Sequence, residues 1–146
     1  MIRRATLADI DQLAILFDKY RIFYGQPTDI AGAIAFLTAR LQKEESVIFV
    51  AMQNDQMKGF TQLYPIFSSV GMKRCWVLND LFVAEDARGS GAADALLHAA
   101  QQWGADTGSR WLMLQTARDN FRAQKVYERN GWQKDETFLS YNFYPE

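Results

Sequence analysis

The sequence predicts one α/β domain (α+β mixed) over residues 1–146, a mixed and mostly antiparallel sheet flanked by helices in the order β-α-α-β-β-β-α-β-α-β. Three observations carry that expectation. The apolar pattern alternates between a period of two and a period of 3.6, so strands and helices interleave. Three β-rich runs between residues 46 and 83 follow one another across short breaks, as in an antiparallel meander. A helix-length segment then separates two further runs, as in a β-α-β crossover.

Each element has its own signal. "MIRRAT" is a short strand. Thr6 and Asp9 stand at capping-box spacing, with Asp in place of the usual Glu or Gln. Ile10, Leu13, Phe17 and Tyr20 then recur at helical intervals. "RIFYGQPTD" breaks the pattern at Gly25 and Pro27. A second helix carries Ile30, Ala33, Ile34, Leu37 and Leu41 on one face. "SVIFVAMQ" is a strand, "NDQM" a turn and "KGFTQLYPIF" a second strand. "CWVLNDLFV" is a third, buried on both faces apart from Asn79 and Asp80. The next helix carries Ala93, Leu96, Leu97, Ala100 and Trp103. "SRWLMLQT" reads as a strand and "DNFRAQKVYERNG" as a helix, with Asp119 or Asn120 as N-cap and Gly131 as C-cap. "TFLSYNFY" alternates and closes the chain as a strand.

Composition narrows the function classes. Hydrophobic residues make up 49% and charged residues 23%, enough for a folded core and against disorder. A net charge of −1 argues against a nucleic-acid or anionic-membrane partner, which calls for a basic excess. Cys75 is the single cysteine and His98 the single histidine, so neither a disulfide within the chain nor a zinc cluster is expected. His98 reads as a surface or packing residue, and Cys75 as a packed thiol. Asp9 and Asp11 interrupt any apolar N-terminal stretch, so no signal peptide or membrane span is expected. A lone thiol without an export signal points to the cytosol.

The stretch "EDARGSGAADALLHAA" places Gly89 and Gly91 at the start of a helix. A helix N-terminus has unpaired N–H groups and a partial positive charge, and glycines let a phosphate approach them. It is not a Walker loop, because no Lys-Ser/Thr pair follows. Nor is it a Rossmann fingerprint, because Asp94 stands where the third glycine belongs. A flexible turn with a helix cap accounts for the same residues.

The neighbouring residues add specificity. "DARGSGAADALL" resembles the acetyl-CoA signature of the GNAT N-acetyltransferase superfamily, [QR]-x-x-G-x-[GA], filled by Arg88, Gly91 and Ala93. "LNDLFV" stands upstream as in that family. "DNFRAQKVYERNGW" is similar to its N-x-x-A-x-x-x-Y-x-x-x-G-[FW] segment through Asn120, Ala123, Tyr127, Gly131 and Trp132. The spermidine/spermine and histone-and-polyamine branches look most similar, with one departure. They carry an acid before the strand-end Asp, where this chain has Asn79.

The resemblance implies the GNAT fold, with acetyl-CoA as co-substrate and no metal. It implies direct attack by a primary amine, a small polyamine or a lysine-like molecule, in a ternary complex. The N–H groups of Arg88, Gly89, Ser90, Gly91, Ala92, Ala93 and Asp94 would hold the pyrophosphate. Backbone groups of Leu81, Phe82 and Val83 would pair with the pantetheine arm, and Asn120 would bond it. Tyr127 would protonate the leaving thiolate, although packing one turn after Ala123 also explains it. Asp80, expected on the strand face opposite Asn79, would attract the amine or relay its proton, although a strand-end carboxylate needs no such role. Arg118, Arg122, Lys125 and Arg129 form a basic stripe that suits solvent. Arg122 or Lys125 would also suit the CoA 3′-phosphate. Tyr20, Phe23 and Tyr24 with Asp29 would line the acceptor site, where packing is again the plain alternative. A protein lysine acetyltransferase and a non-catalytic acyl-CoA-binding regulatory domain are the competing functions. A homodimer, with the last strand pairing across subunits, is implied by the same likeness.

Overall fold

Local signals set the first elements of the chain. The computed structural model describes residues 1–146 and divides them into two units, Met1–Gln115 and Thr116–Glu146. In the first unit, β1 (Ile2–Arg4) leads to Thr6, whose Oγ1 accepts the Ala8 N–H at 3.3 Å. Asp9 Oδ2 accepts the Thr6 N–H at 2.8 Å, which completes the expected capping box. A 3₁₀ turn (Leu7–Asp9) then runs into α1 (Ile10–Phe23), which buries Ile10, Leu13 and Phe17 as their spacing predicts. In α2 (Ile30–Gln42), Ala33 and Leu37 are buried, while Ile30 and Ile34 remain exposed.

The sheet runs in the order β1-β2-β3-β4-β5. β2 (Val47–Gln53), β3 (Gln56–Ser68) and β4 (Lys73–Val83) form the expected meander, and β1 is antiparallel to β2. Asn54 and Asp55 link β2 to β3 with φ of 50° and 63°, the left-handed pair that a two-residue hairpin requires. After α3 (Ala92–Asp106), β5 (Leu112–Met113) returns parallel to β4. This is the mixed, mostly antiparallel architecture that the sequence predicts.

Alternation along β2 assigns the faces. Ile48 and Val50 join Leu13, Phe17 and Leu37 in the core under α1 and α2. Phe49 points the other way, with its ring 6.1 Å from Trp103 of α3. Helices therefore cover both faces of the sheet. No helix is long and apolar enough to cross a membrane.

Two predicted strands differ. "SRWLMLQT" forms a strand only at Leu112 and Met113, although the Arg110 N–H donates to Arg74 O and Trp111 O accepts the Trp76 N–H. "TFLSYNFY", in the second unit, forms no strand, because no other strand hydrogen-bonds to it. That unit contains α4 (Phe121–Arg129), with Asn120 as N-cap. Gly131, at φ 90°, sits just past its C-cap. The Trp132 N–H donates to Tyr127 O and the Gly131 N–H to Glu128 O, the paired bonds of a Schellman ending.

Asp9 also receives both Arg3 guanidinium nitrogens, at 2.9 and 2.8 Å. That fork, with burial opposing it, lowers the carboxyl from 3.8 to about 2. A depressed carboxyl stabilises the fold above its unfolded pKa and loses that contribution as pH falls through the folded value. Asp9→Asn is expected to cost about 1–2 kcal/mol at neutral pH for a half-exposed fork. In urea titrations the gap between variant and wild type should close from about pH 4 down to pH 2.

Candidate active site

One irregularity in β4 positions the polar residues of the sheet. Gln62 pairs with Asp80 and Leu63 with Leu78, so Asn79 is an extra residue, a β-bulge. Before it, Trp76 packs at 5.8 Å on Trp103 of α3, and Leu78 lies opposite Leu63. Strict alternation would place Asp80 on that same face. After the bulge, Phe82 instead packs 6.2 Å from Tyr20 and 6.4 Å from Phe60, under α1. The extra residue has reversed the parity and brought Asp80 to the α1 face.

Two expectations change as a result. Asp80 is buried at 2% exposure, so of β4's polar pair only Asn79 remains exposed. Asn79 and Asp80 do not face apart either, because Asn79 Nδ2 donates to Asp80 Oδ1 at 2.8 Å. Gln62 Nε2 donates to the other oxygen, Oδ2, at 2.5 Å. The Tyr20 hydroxyl donates to Asn79 O at 3.3 Å. Burial pushes the Asp80 carboxyl above its usual range, while bonds from Gln62, Asn79 and Tyr20 oppose the rise. Burial and then the Asp80 charge push the Tyr20 and Tyr64 phenols up, so both keep their protons.

Gln62 and Tyr64 were not singled out from the sequence. Gln62 is fully buried and its Oε1 has no partner. The signal was an amide within an otherwise apolar strand run, a position that seldom stays polar without a task.

The same bulge separates β4 from β5. Their ladder covers only Trp76 and Val77, so β4 beyond Leu78 has no partner on that side. Thr61 Oγ1 donates to Asp80 O, Phe82 O lies against Gly59, and the Ala84 N–H donates to Lys58 O. Asp80, Phe82 and Ala84 therefore direct their backbone groups to β3. By alternation Leu81 and Val83 direct theirs to the edge without a strand. Of the three residues expected to offer backbone groups, Phe82 is already engaged. Val83 O receives the Arg88 Nε at 3.3 Å.

The glycine loop follows directly. Gly89 and Gly91 have φ of 80° and 85°, and a Cβ built on either would meet nothing within 4 Å. Only glycine takes this conformation freely, and it leaves the backbone uncovered. No side chain caps α3. The N–H groups of Gly89, Gly91, Ala92 and Ala93 bond to no group of the chain. Those of Arg88 and Ser90 are spent inside the loop, on Glu85 O and Ala87 O. The expected row of seven donors is thus interrupted at two places.

In the second unit, Asn120 Oδ1 accepts the Ala123 N–H at 3.2 Å, so its oxygen is committed to capping α4 and its Nδ2 remains. Tyr127 is half-buried, 6.4 Å from the Trp132 ring. Arg122 and Lys125 are exposed on α4. Arg118 precedes Asn120, so it belongs to the loop and not to the helix stripe.

Around α1, Tyr20 packs on Phe17, Phe60 and Tyr24, but Phe23 and Tyr24 are 65% and 60% exposed. Packing explains Tyr20 and not the other two. Asp29 is exposed and caps the N-terminus of α2, with Oδ1 accepting from the Gly32 N–H at 2.9 Å. The buried acid here is Asp18, held below its usual range by the Asp29 N–H and the Thr28 hydroxyl, both at 2.7 Å. His98 is exposed and Cys75 buried, as expected. An open hollow of about 310 Å³ beside Lys19, Lys58 and Asp86 lies away from Asp80.

The chain resembles known proteins over most of its length. The model of the acetyltransferase (GNAT) family matches residues 13–132. An uncharacterised N-acetyltransferase of Bacillus subtilis, YhfO, is 49% identical over 140 residues, 96% of this chain and 94% of that protein. The crystal structure of a probable acetyltransferase superposes with a TM-score of 0.96 at 44% identity, covering 100% of this chain and 98% of that one. A predicted acetyltransferase of Clostridium acetobutylicum, solved with acetyl-CoA, shares the fold at 18% identity and a TM-score of 0.78, covering 97% and 95% of the two chains.

A buried carboxyl whose pKa is raised favours the fold while it is protonated, and that contribution is lost as pH rises through the folded value. Asp80→Asn removes the ionisable group. It should gain stability relative to wild type as pH rises from about 4, the unfolded carboxyl value, through the raised folded value. Chemical denaturation of both proteins at several pH values measures the difference.

Proposed function

Because the chain belongs to the GNAT acetyltransferase family and is an acetyltransferase, we propose that it moves the acetyl group of acetyl-CoA to a primary amine of a small molecule, a polyamine or lysine-like compound, in the cytosol. The observation that carries this reading is the buried carboxylate of Asp80, framed by Gln62, Asn79 and Tyr20 in the bulge of β4.

Acetyl-CoA supplies an activated acyl group when bound. The residues present suit it. The N–H groups of Gly89, Gly91, Ala92, Ala93 and Asp94 would hold the pyrophosphate at the α3 N-terminus, where glycine leaves room for it. Leu81 and Val83 would offer backbone groups to the pantetheine amides in the manner of an added strand. Asn120 would contribute Nδ2, and Arg122 or Lys125 would meet the 3′-phosphate.

An aliphatic amine with a pKa of about 10.4 is protonated at pH 7 and must lose a proton before it attacks. Asp80 is a stronger base than a surface carboxylate because burial disfavours its charge. At 2% exposure it would act through a relay, with the Tyr20 hydroxyl, the exposed Asn79 amide or a water between it and the amine. Asn79 stands where the polyamine branch has an acid, so this task moves one residue along the chain. The exposed Phe23 and Tyr24 rings suit a cation with an aliphatic body. A phenol is an acid weak enough to hold its proton at neutral pH, and Tyr127 would give its Oη proton to the leaving thiolate.

Thiol release from acetyl-CoA across a panel of diamines, polyamines, lysine and lysine peptides tests the reading. Turnover on a small amine is expected, and acetyl-CoA binding without turnover on any amine would overturn it. Tyr127→Phe should lower kcat about 10²-fold, and Asp80→Asn should lower kcat/KM about 10²–10⁴-fold and flatten its acid limb. Reversing charge at Arg122 and Lys125 together should raise the KM for acetyl-CoA about tenfold and spare that for the amine. The opposite pattern would remove both residues from the cofactor site.

A further inference from the structure

We infer that the side-chain amide of Gln62 turns with the proton on Asp80, donating through Nε2 to the carboxylate and accepting through Oε1 from the carboxyl. Gln62 is then a positioning residue for the base. Only its consequence for turnover rests on the role given to Asp80 in the proposed function. The turn itself needs no substrate.

The two amides that hold Asp80 are not equivalent. Asn79 Nδ2 reaches Oδ1 at 2.8 Å from an exposed residue, so water serves its other atom. Gln62 Nε2 reaches Oδ2 from a residue with 0% exposure, and its Oε1 is buried without a partner. A buried carbonyl without a donor costs the desolvation of its lone pairs. A carboxylate only accepts, whereas a carboxyl also donates one O–H. A proton on Oδ1 would break the Asn79 bond and serve no buried group. A proton on Oδ2 would meet the Gln62 N–H, donor against donor. Half a turn of the amide exchanges its nitrogen and oxygen. An O–H···O bond then replaces the conflict, and Oε1 gains its missing donor.

The displaced Nε2 needs an acceptor on the α1 face. Tyr64 is two residues along β3 and hence on the same face. Its hydroxyl bonds to no group of the chain and has lone pairs to offer.

Few other groups bear on the pair. Tyr20 faces Asp80 from α1, with Tyr24 beside it. Tyr64 faces it from β3, and Arg40 of α2 acts on Tyr64. β2 presents Ile48 across from Gln62, and Phe60 and Phe82 are apolar neighbours of Tyr20. Burial and the Asp80 charge keep the protons on Tyr20 and Tyr64, so Asp80 is the member of this cluster that changes charge.

Side-chain NMR of the carbon- and nitrogen-labelled protein, without substrate, tests the turn between about pH 4 and pH 9. The Asp80 carboxyl carbon gives the midpoint. Above it, NOEs are expected from the Gln62 Hε2 protons to the Asp80 methylene. Below it these should be lost, and contacts to the Tyr64 ring should appear. Asp80→Asn should leave the Gln62 amide unchanged across the range. With an amine that turns over, Gln62→Met should move the acid limb of kcat/KM up by about one pH unit, a tenfold change in proton affinity. The bond lost from the charged form is the stronger of the two that Gln62 makes. Gln62→Leu should act in the same direction, and both should leave the KM for acetyl-CoA unchanged. An Asp80 that stays ionised throughout, Hε2 contacts that are the same on both sides of the midpoint, a turn of Asn79 in place of Gln62, or variants that lose activity with an unmoved limb would overturn the inference. If the turn is seen and no amine turns over, the inference stands and the proposed reaction fails.

Discussion

Because Asn79 has no counterpart on β3, every β4 side chain after it changes face and β4 parts from β5. Without that residue, Asp80 would lie under α3 beside Trp76 and Leu78, far from the tyrosines of α1 and β3. With it, a carboxylate is buried among hydrogen-bond donors, and Leu81 and Val83 face an edge that β5 does not cover. A bulge bends and twists its strand while leaving one residue unpaired. Here the unpaired residue is polar, and its amide supports the side chain that it displaced.

The glycine loop depends on the same geometry, since it begins two residues after β4 ends. Its two left-handed glycines and uncapped helix put N–H donors beside the strand edge. The proposed ligand, with amides in its arm and a pyrophosphate at its end, would meet both features in their order along the chain. The cost falls on local stability: α3 lacks a cap, and Asp80 is held in a setting that opposes its charge. Functional sites commonly retain such uncompensated features because the ligand, and not the fold, completes them.

Much of this was legible from residue order. The capping box of Thr6 and Asp9, the hairpin at Asn54 and Asp55, the cap of α4 and its glycine ending are all local, each set by a few neighbouring residues. The glycine loop before α3 was legible for the same reason. Side-chain direction in β4 was not, because strand parity follows pairing with β3, and a single inserted residue inverts it. Gln62 escaped notice since its importance comes from a neighbour eighteen positions away. Asn120 and Asp29 were read for chemistry, but each has an oxygen spent on a helix N-terminus.

The sequence by itself determined the kind of most elements, their order and the motifs on which the likeness to the acetyltransferase family rests, because propensity, capping and hydrophobic period act over a few residues. Tertiary structure alone decided which face Asp80 occupies, which backbone groups remain unspent, and that TFLSYNFY, a strand by pattern, stays unpaired in one chain. A strand exists only where another strand supplies its hydrogen bonds, and no local pattern states where that partner is.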